Sequence, residues 1–127
     1  MQRFLLSLLA YTFVTVCAAA PLSPNAWVEI DSLMSRLESS ACEFNRNGAW
    51  HTATEAKSHL LRKLKYLEDT GAVQSTEQFI ELAASRSSMT GQPYLVKCGN
   101  GAPVQSGTWL LSQLQDMRTA GRSRSAP

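Results

Sequence analysis

The sequence has little net charge of either sign. Its 127 residues include 12 lysines and arginines against 10 acidic side chains, a formal net charge of +2 at pH 7. Arg3 belongs to the N-terminal leader described below, and three more of the basic side chains lie in the last ten residues. A nucleic-acid-binding domain needs a concentrated positive field to neutralise phosphates. We therefore expect no nucleic-acid partner.

The sequence offers no apolar run long enough to span a bilayer comfortably. Residues 4–16 are apolar for about thirteen positions, whereas a spanning helix needs about 20. Arg3 precedes this run and the small residues 17–20 follow it, a pattern typical of a secretory signal peptide. We predict a signal peptide over 1–19, cleaved after Ala19, and a periplasmic or secreted mature protein.

Two other interpretations of the N-terminus stay open. A lipoprotein signal would acylate Cys17, although Val16 stands where a small residue is expected, and an uncleaved leader would act as an anchor. If cleavage occurs, the membrane is a partner only during export. The mature chain shows no internal repeat and no long linker. It is therefore expected to form one globular domain over 20–117, followed by a disordered tail over 118–127 without apolar periodicity.

Cysteine is scarce, with three residues in the whole chain. Cys17 leaves with the signal peptide, so Cys42 and Cys98 remain in a compartment that favours disulfides. We expect one bond between them, and two unpaired thiols are the alternative. The bond would close a loop of about 57 residues, worth roughly 4 kcal/mol on the chain-entropy model.

Apolar periodicity and helix-start signals predict a mainly helical α+β domain. About four helices are expected, together with a short two-stranded, hairpin-like sheet and one disulfide. The sheet would pair residues 42–44 with the β-rich segment 94–98. The helices are expected over 25–40, from the capping box of Thr52 and Glu55 to Gly71, after Ser75, and after Ser106 or Thr108.

His51, Glu55 and His59 have the side chains of a zinc site, at i, i+4 and i+8. The predicted capping box argues against that site, because it places His51 outside the helix and uses Glu55 at the helix start. Metal motifs on helices also pair histidines four residues apart. We expect no metal and no cofactor, and we expect His59 to be a partly buried structural residue.

A small periplasmic hydrolase is the enzymatic alternative. It would use His59 and Glu55 with a serine from the loop that contains Ser87 and Ser88. The sequence contains neither a nucleophile-elbow pattern nor a Ser-x-x-Lys pattern. Hydroxyl side chains after a helix also turn the chain without any catalytic role. The question of enzyme or non-enzyme stays open with catalysis disfavoured, and no catalytic residue is assigned.

Three stretches of the mature chain carry a resemblance to a known family. They are FNRNGAWHTATEAKSHLLRKLKYL, STEQFIELAASRSSMTGQPYLVKC and WLLSQL. Together they resemble the YfeK-like family, small exported bacterial proteins of unknown function. The combination of Arg-Asn-Gly, Glu-Ala-x-x-His-Leu, Ser-Ser-x-Thr-Gly-x-Pro-Tyr and paired cysteines makes the resemblance specific. It implies export to the periplasm of a Gram-negative bacterium and brings no activity with it.

The resemblance also implies one shared surface for a ligand or partner. That surface would comprise Arg46, Asn47, His59, Ser87, Ser88 and Tyr94. The favoured function is a small exported binding or protein-interaction module, whose partner is an unknown envelope protein or a small ligand. A structural envelope protein without a discrete ligand is the further alternative beside the hydrolase.

Overall fold

The computed structural model describes residues 10–15 and 21–125. Residues 10–15 form neither helix nor strand. The rest of the predicted signal peptide over 1–19, including Cys17 and the cleavage position at Ala19, lies outside the described residues. Within the described ranges, no helix is both long enough and apolar enough to cross a membrane.

The described residues form four helices and one four-stranded sheet, which confirms the predicted mainly helical α+β class. A five-residue π-helical turn, Ile80–Ala84, directly continues the short third helix. The elements are α1 Pro24–Ser39, β1 Glu43–Arg46, β2 Ala49–His51, α2 Ala53–Asp69, α3 Thr76–Phe79, β3 Leu95–Lys97, β4 Val104–Gln105 and α4 Ser106–Ser125.

The prediction of a two-stranded sheet is wrong, because the sheet has four strands in the order β2-β1-β3-β4. All neighbours are antiparallel, and the expected pairing of β1 with β3 is present, with Phe44 opposite Val96. The two unpredicted strands contain three and two residues. Such short segments cannot display the alternation that identifies a strand in a sequence.

Local side-chain chemistry sets the ends of α2. The Thr52 hydroxyl accepts from the amide of Glu55 at 3.2 Å, and the Glu55 carboxylate accepts from the amide of Thr52 at 3.3 Å. This is the predicted capping box. Gly71, with φ of 70°, stops the helix in the left-handed conformation that glycine adopts without strain.

The hydrophobic core lies between the helices and the sheet. Phe44 and Val96 supply the strand side chains, while Leu60 and Leu64 supply those of α2, and all four are at most 1% exposed. Tyr94, immediately before β3, packs its ring against Phe44 with centroids 5.1 Å apart. The core therefore holds β1, α2 and the start of β3 in fixed positions, and these elements carry the candidate site.

Cys42 and Cys98 form the predicted disulfide, with their Cα atoms 4.3 Å apart. The bond lies at the end of the β1–β3 pairing, where Glu43 is opposite Lys97. It thereby fastens the segment after α1 to the end of β3.

Residues 118–125, assigned to a tail from the sequence, are helical here because α4 extends to Ser125. The guanidinium of Arg118 donates to the Glu29 carboxylate at 2.8 and 3.0 Å and forms an ion pair with Glu77. These contacts tie the helix to α1 and α3. Arg118 and Glu29 are 89 positions apart. Their ion pair therefore produces no periodic pattern that could be recognised in residues 118–127.

Candidate functional site

A groove of about 320 Å³ lies between the β1–β2 hairpin and the first turns of α2. We call it the basic groove. Its buried apolar lining comes from Phe44 and Ala56. Its polar lining comes from Arg46, His51, Thr54, Glu55, Ser58, His59 and Arg62. The hairpin and α2, both held rigidly by the core, thus bring together side chains that lie up to eighteen positions apart in the sequence.

The basic groove has more positive than negative charge. Among the described residues, neither Arg46 nor Arg62 makes an ion pair or a side-chain hydrogen bond. The acidic residue in the lining is Glu55, and its carboxylate is already engaged by the amide of Thr52 and by Nδ1 of His51 at 3.2 Å. The two guanidinium groups are therefore available to an anionic group from outside the chain.

His59, which lines this groove, belongs to a hydrogen-bonded chain with Tyr94 and Lys63. His59 Nε2 is 3.3 Å from the Tyr94 hydroxyl, and Lys63 Nζ donates to the same hydroxyl at 3.2 Å. Lys63 Nζ also donates to the carbonyl of Arg86 at 3.1 Å. An ammonium group only donates, so the buried Tyr94 O–H has His59 Nε2 as its acceptor. This assigns the proton of the neutral imidazole to Nδ1.

Burial lowers the pKa of His59 to about 4, and the nearby charge of Arg46 adds to the effect, as do Lys63, Arg62 and His51. Burial also lowers the pKa of Lys63, with a further contribution from Arg46. His59 is consequently neutral at neutral pH. It contributes hydrogen bonding and ring surface to the site, while the positive charge comes from the arginines.

Asn47 joins the β1–β2 turn to the loop before β3. Its Nδ2 donates to Ser87 Oγ at 3.3 Å, and its Oδ1 accepts from Thr90 Oγ1 at 2.7 Å. Ser87 Oγ also accepts from the amides of Met89 and Thr90, both at 3.2 Å. Asn47 occupies the left-handed region with φ of 53°, which asparagine tolerates better than most residues. The Asn47 and Ser87 side chains therefore hold two loops together.

The arrangement does not assemble the catalytic set of the hydrolase alternative. Glu55 contacts His51 rather than His59. Ser87 is 5% exposed and its hydroxyl belongs to the turn. In the part of the chain that the structure describes, no hydrogen bond joins Ser87 or Ser88 to His59. Those same residues also contain no cluster of three or more histidine, cysteine, aspartate or glutamate side chains suited to a metal ion.

A second groove of about 320 Å³ adjoins the basic groove along α2, and His59 and Arg62 line both. We call it the apolar groove. Ser88 contributes to it from the loop before β3. The other lining residues are Lys63, Tyr66, Leu67 and Leu82. The predicted surface residues are therefore not all in one place. Arg46 lines the basic groove, Ser88 lines the apolar groove and His59 lines both. Asn47, Ser87 and Tyr94 line neither groove and make the hydrogen bonds described above.

Arg62 and Lys63 were not among the predicted site residues, because a short basic run such as Arg62–Lys65 on a helix usually indicates a solvated face. Their spacing contained the missing signal. On a helix, positions i+3 and i+4 from His59 share its face, so Arg62 and Lys63 accompany His59 toward the site. Lys65 lies on another face and pairs with Asp69 at 3.6 Å.

Fold and site together define a small disulfide-bonded α+β domain with a basic, ligand-sized groove beside an apolar one. The chain belongs to the family described as "Family of unknown function (DUF5329)", which matches residues 24–118. It is also similar to "Uncharacterized protein YfeK" of Salmonella typhimurium, with 35% identity over 82 residues, 64% of this chain and 67% of that protein. The YfeK-like resemblance is thus confirmed. No solved structure matches the chain.

Proposed function

We propose that this protein is an exported binding module that takes an anionic ligand or partner group in its basic groove. Export is supported by the leader-like N-terminus and by the disulfide, since disulfides persist mainly in oxidising compartments such as the periplasm. The protein would act there after cleavage of residues 1–19. Recognition would rest on Arg46 and Arg62, with His59 and Ser58 as polar groups beside them.

The observation that carries the proposal is the absence of any carboxylate partner for Arg46 and Arg62 among the described residues. Several other basic side chains in the fold do have acidic partners: Lys57 pairs with Glu38, and Arg118 pairs with Glu29 and Glu77. Guanidinium groups match the geometry of carboxylates and phosphates through paired N–H donors. An anion in the groove would satisfy both arginines at once.

The groove has the dimensions and the rigidity of a ligand site. Its volume of about 320 Å³ lies within the range of small-molecule pockets, about 300–1,000 Å³. Arg46 sits on a strand and Arg62 on a helix, so the core fixes the backbone positions of both. Sites built on such elements hold their geometry better than sites on loops.

A capture experiment tests the proposal. The mature disulfide-bonded chain would be immobilised and exposed to periplasmic extract, beside the variant Arg46→Gln/Arg62→Gln. The matched control is Lys65→Gln/Arg122→Gln, which removes the same charge from exposed positions outside both grooves. All three proteins would first be shown to melt cooperatively.

We expect a ligand or partner that the native chain and the control retain and that the groove variant loses. If all three proteins retain the ligand or partner, recognition does not depend on the arginines of the basic groove. Retention by none would favour a structural envelope role without a discrete ligand. Either result would overturn the proposed function.

A further inference from the structure

The two grooves differ in character although they share a boundary. The basic groove holds Arg46, and the apolar groove holds Tyr66, Leu67 and Leu82. His59 and Arg62 line both, so a molecule lying along α2 from one groove into the other passes directly over them. The polar lining of the basic groove is therefore followed along α2 by the apolar lining of the second groove.

The apolar groove contains large side chains that the fold leaves open to solvent. Tyr66 is 69% exposed and Leu82 is 40% exposed. Single exposed apolar residues are ordinary on a protein surface, but a concave group of them next to a charged site marks a place for ligand contact. Tyr66 and Leu67 come from α2, and Leu82 comes from the π-helical turn that packs beside it.

We propose that the ligand is an anionic amphiphile, with a carboxylate or phosphate head bound between Arg46 and Arg62 and an aliphatic chain lying in the apolar groove. This inference rests on the proposed function and specifies its ligand. The head supplies the negative charge that the two arginines lack as a partner, and the chain covers the exposed ring of Tyr66 and the methyl groups of Leu82. A simple anion would leave the second groove empty, and a neutral lipid would leave the arginines without a partner.

His59 has the properties that the junction between head and chain requires. Its ring packs edge-on to Tyr94, with centroids 6.1 Å apart and an interplanar angle of 76°. The Tyr94 hydroxyl fixes its Nε2, and its lowered pKa keeps it uncharged. Covering a neutral ring with an aliphatic chain costs far less than covering an imidazolium ion. Arg62 suits the same position, because its aliphatic stem can pack against the chain while its guanidinium group contacts the head.

Chemical-shift mapping of the ¹⁵N-labelled, disulfide-bonded mature protein tests this inference at neutral pH. The probe is sodium decanoate, kept below the concentration at which it forms micelles. Butanoate supplies the same head without the long chain, and decyl maltoside supplies the same chain with a neutral head. Decyl phosphate distinguishes a phosphate head from a carboxylate head.

We expect saturable shifts from decanoate or decyl phosphate in α2 and in the π-helical turn. Because several methylene groups become buried, binding should be about tenfold or more tighter than for butanoate. Decyl maltoside should bind correspondingly more weakly, because it leaves Arg46 and Arg62 unpaired. Equal binding of butanoate and decanoate, equal binding of decyl maltoside and decanoate, or the absence of saturable shifts would each overturn the inference.

Substitutions test the contributions of the basic groove and of the apolar groove to decanoate binding separately. Arg46→Gln/Arg62→Gln should weaken decanoate binding about tenfold through loss of the charged contacts, and Leu82→Gln should weaken it through loss of apolar contact. Tyr66→Gln, at a largely exposed position, provides the same test if Leu82→Gln fails to fold. The control Lys65→Gln/Arg122→Gln should bind as the native protein does. A native-like response from the arginine variant would contradict the inference.

The two proposals fail in different ways. If decanoate and decyl phosphate do not bind but the arginine variant still loses its captured ligand, the amphiphile inference is wrong and the binding function stands. If the capture experiment also shows no dependence on Arg46 and Arg62, both proposals are wrong.

Discussion

His59 Nε2 and the Tyr94 hydroxyl lie 3.3 Å apart, joining the middle of α2 to the residue that precedes β3. The same hydroxyl accepts from Lys63 Nζ, and Lys63 also lies over the Tyr94 ring, 5.0 Å from its centroid. Tyr94 is 2% exposed. One buried hydroxyl therefore sets the orientation of the imidazole and the position of the ammonium group at the boundary between the two grooves.

Tyr94→Phe should destabilise the fold by about 1–2 kcal/mol, because His59 Nε2 and Lys63 Nζ each lose a partner in a poorly hydrated place. Urea denaturation provides the measurement, read as a change in midpoint at constant slope. Tyr66→Phe is the matched control, since it removes a hydroxyl from an exposed tyrosine on α2, the helix that carries His59 and Lys63. Equal stability of the two variants would show that the Tyr94 hydroxyl does not have this role.

Arg46→Gln should raise the pKa of His59 from about 4 toward its ordinary value of 6.5, because the Arg46 charge opposes protonation of the imidazole. The rise should be partial, since burial is the larger cause and remains in the variant. An NMR titration that follows the His59 Hε1 resonance measures this pKa directly. Lys65→Gln should leave it unchanged. A native pKa near 6.5 would contradict the burial and the charge environment described for His59.

Cys42→Ala/Cys98→Ala should cost about 4 kcal/mol of unfolding free energy, because the bond no longer restricts a loop of about 57 residues in the unfolded chain. Urea denaturation of the variant and the native protein gives the difference. Cys98→Ala alone should cost nearly as much, since one missing sulfur already opens the loop. A loss below about 1 kcal/mol would contradict this loop-entropy account of the disulfide.

Arg118→Gln should destabilise the protein by about 1 kcal/mol, a modest value because the guanidinium group is partly exposed to solvent. Its hydrogen bonds lower the pKa of Glu29 and of Glu77. Carboxylates with a lowered folded-state pKa stabilise the fold above their ordinary titration range, and this stabilisation is lost as pH falls through the folded-state pKa. The difference between Arg118→Gln and the native protein should therefore shrink in acid.

Thermal melts across this pH range would test the Arg118 prediction. Arg122→Gln is its control, because that arginine lies in the same helix and is exposed. A tail without tertiary contacts would make the two substitutions equivalent at every pH.

The features that the sequence predicts correctly are those that local chemistry decides. The capping box of Thr52 and Glu55 involves residues three positions apart, and Gly71 stops α2 through its own backbone freedom. The disulfide was predicted from the expectation that Cys42 and Cys98 are the two cysteines left after cleavage of the leader. Apolar periodicity also contributed to the prediction of the helices, because a helix that packs on a core must show that repeat.

The features that escaped prediction depend on contacts between distant residues. The two-residue strand β4 exists because Val104 pairs with Val96. Arg118 belongs to the domain because it reaches Glu29 in the first helix. The basic groove forms because the hairpin places Arg46 beside α2. No residue spacing in the sequence indicates that Arg46 and α2 lie close together. Membership of Arg46 and His59 in one surface came from family resemblance, and the structure supplies the geometry and adds Arg62.

The strand order also determines how the sheet ends. Its two edges are β2 and β4, which are three and two residues long, and each leads almost directly into a helix. Long unpaired edges invite a second chain to add its own strand, whereas very short edges offer few free backbone groups. The short edge strands thus protect the domain against edge-to-edge aggregation.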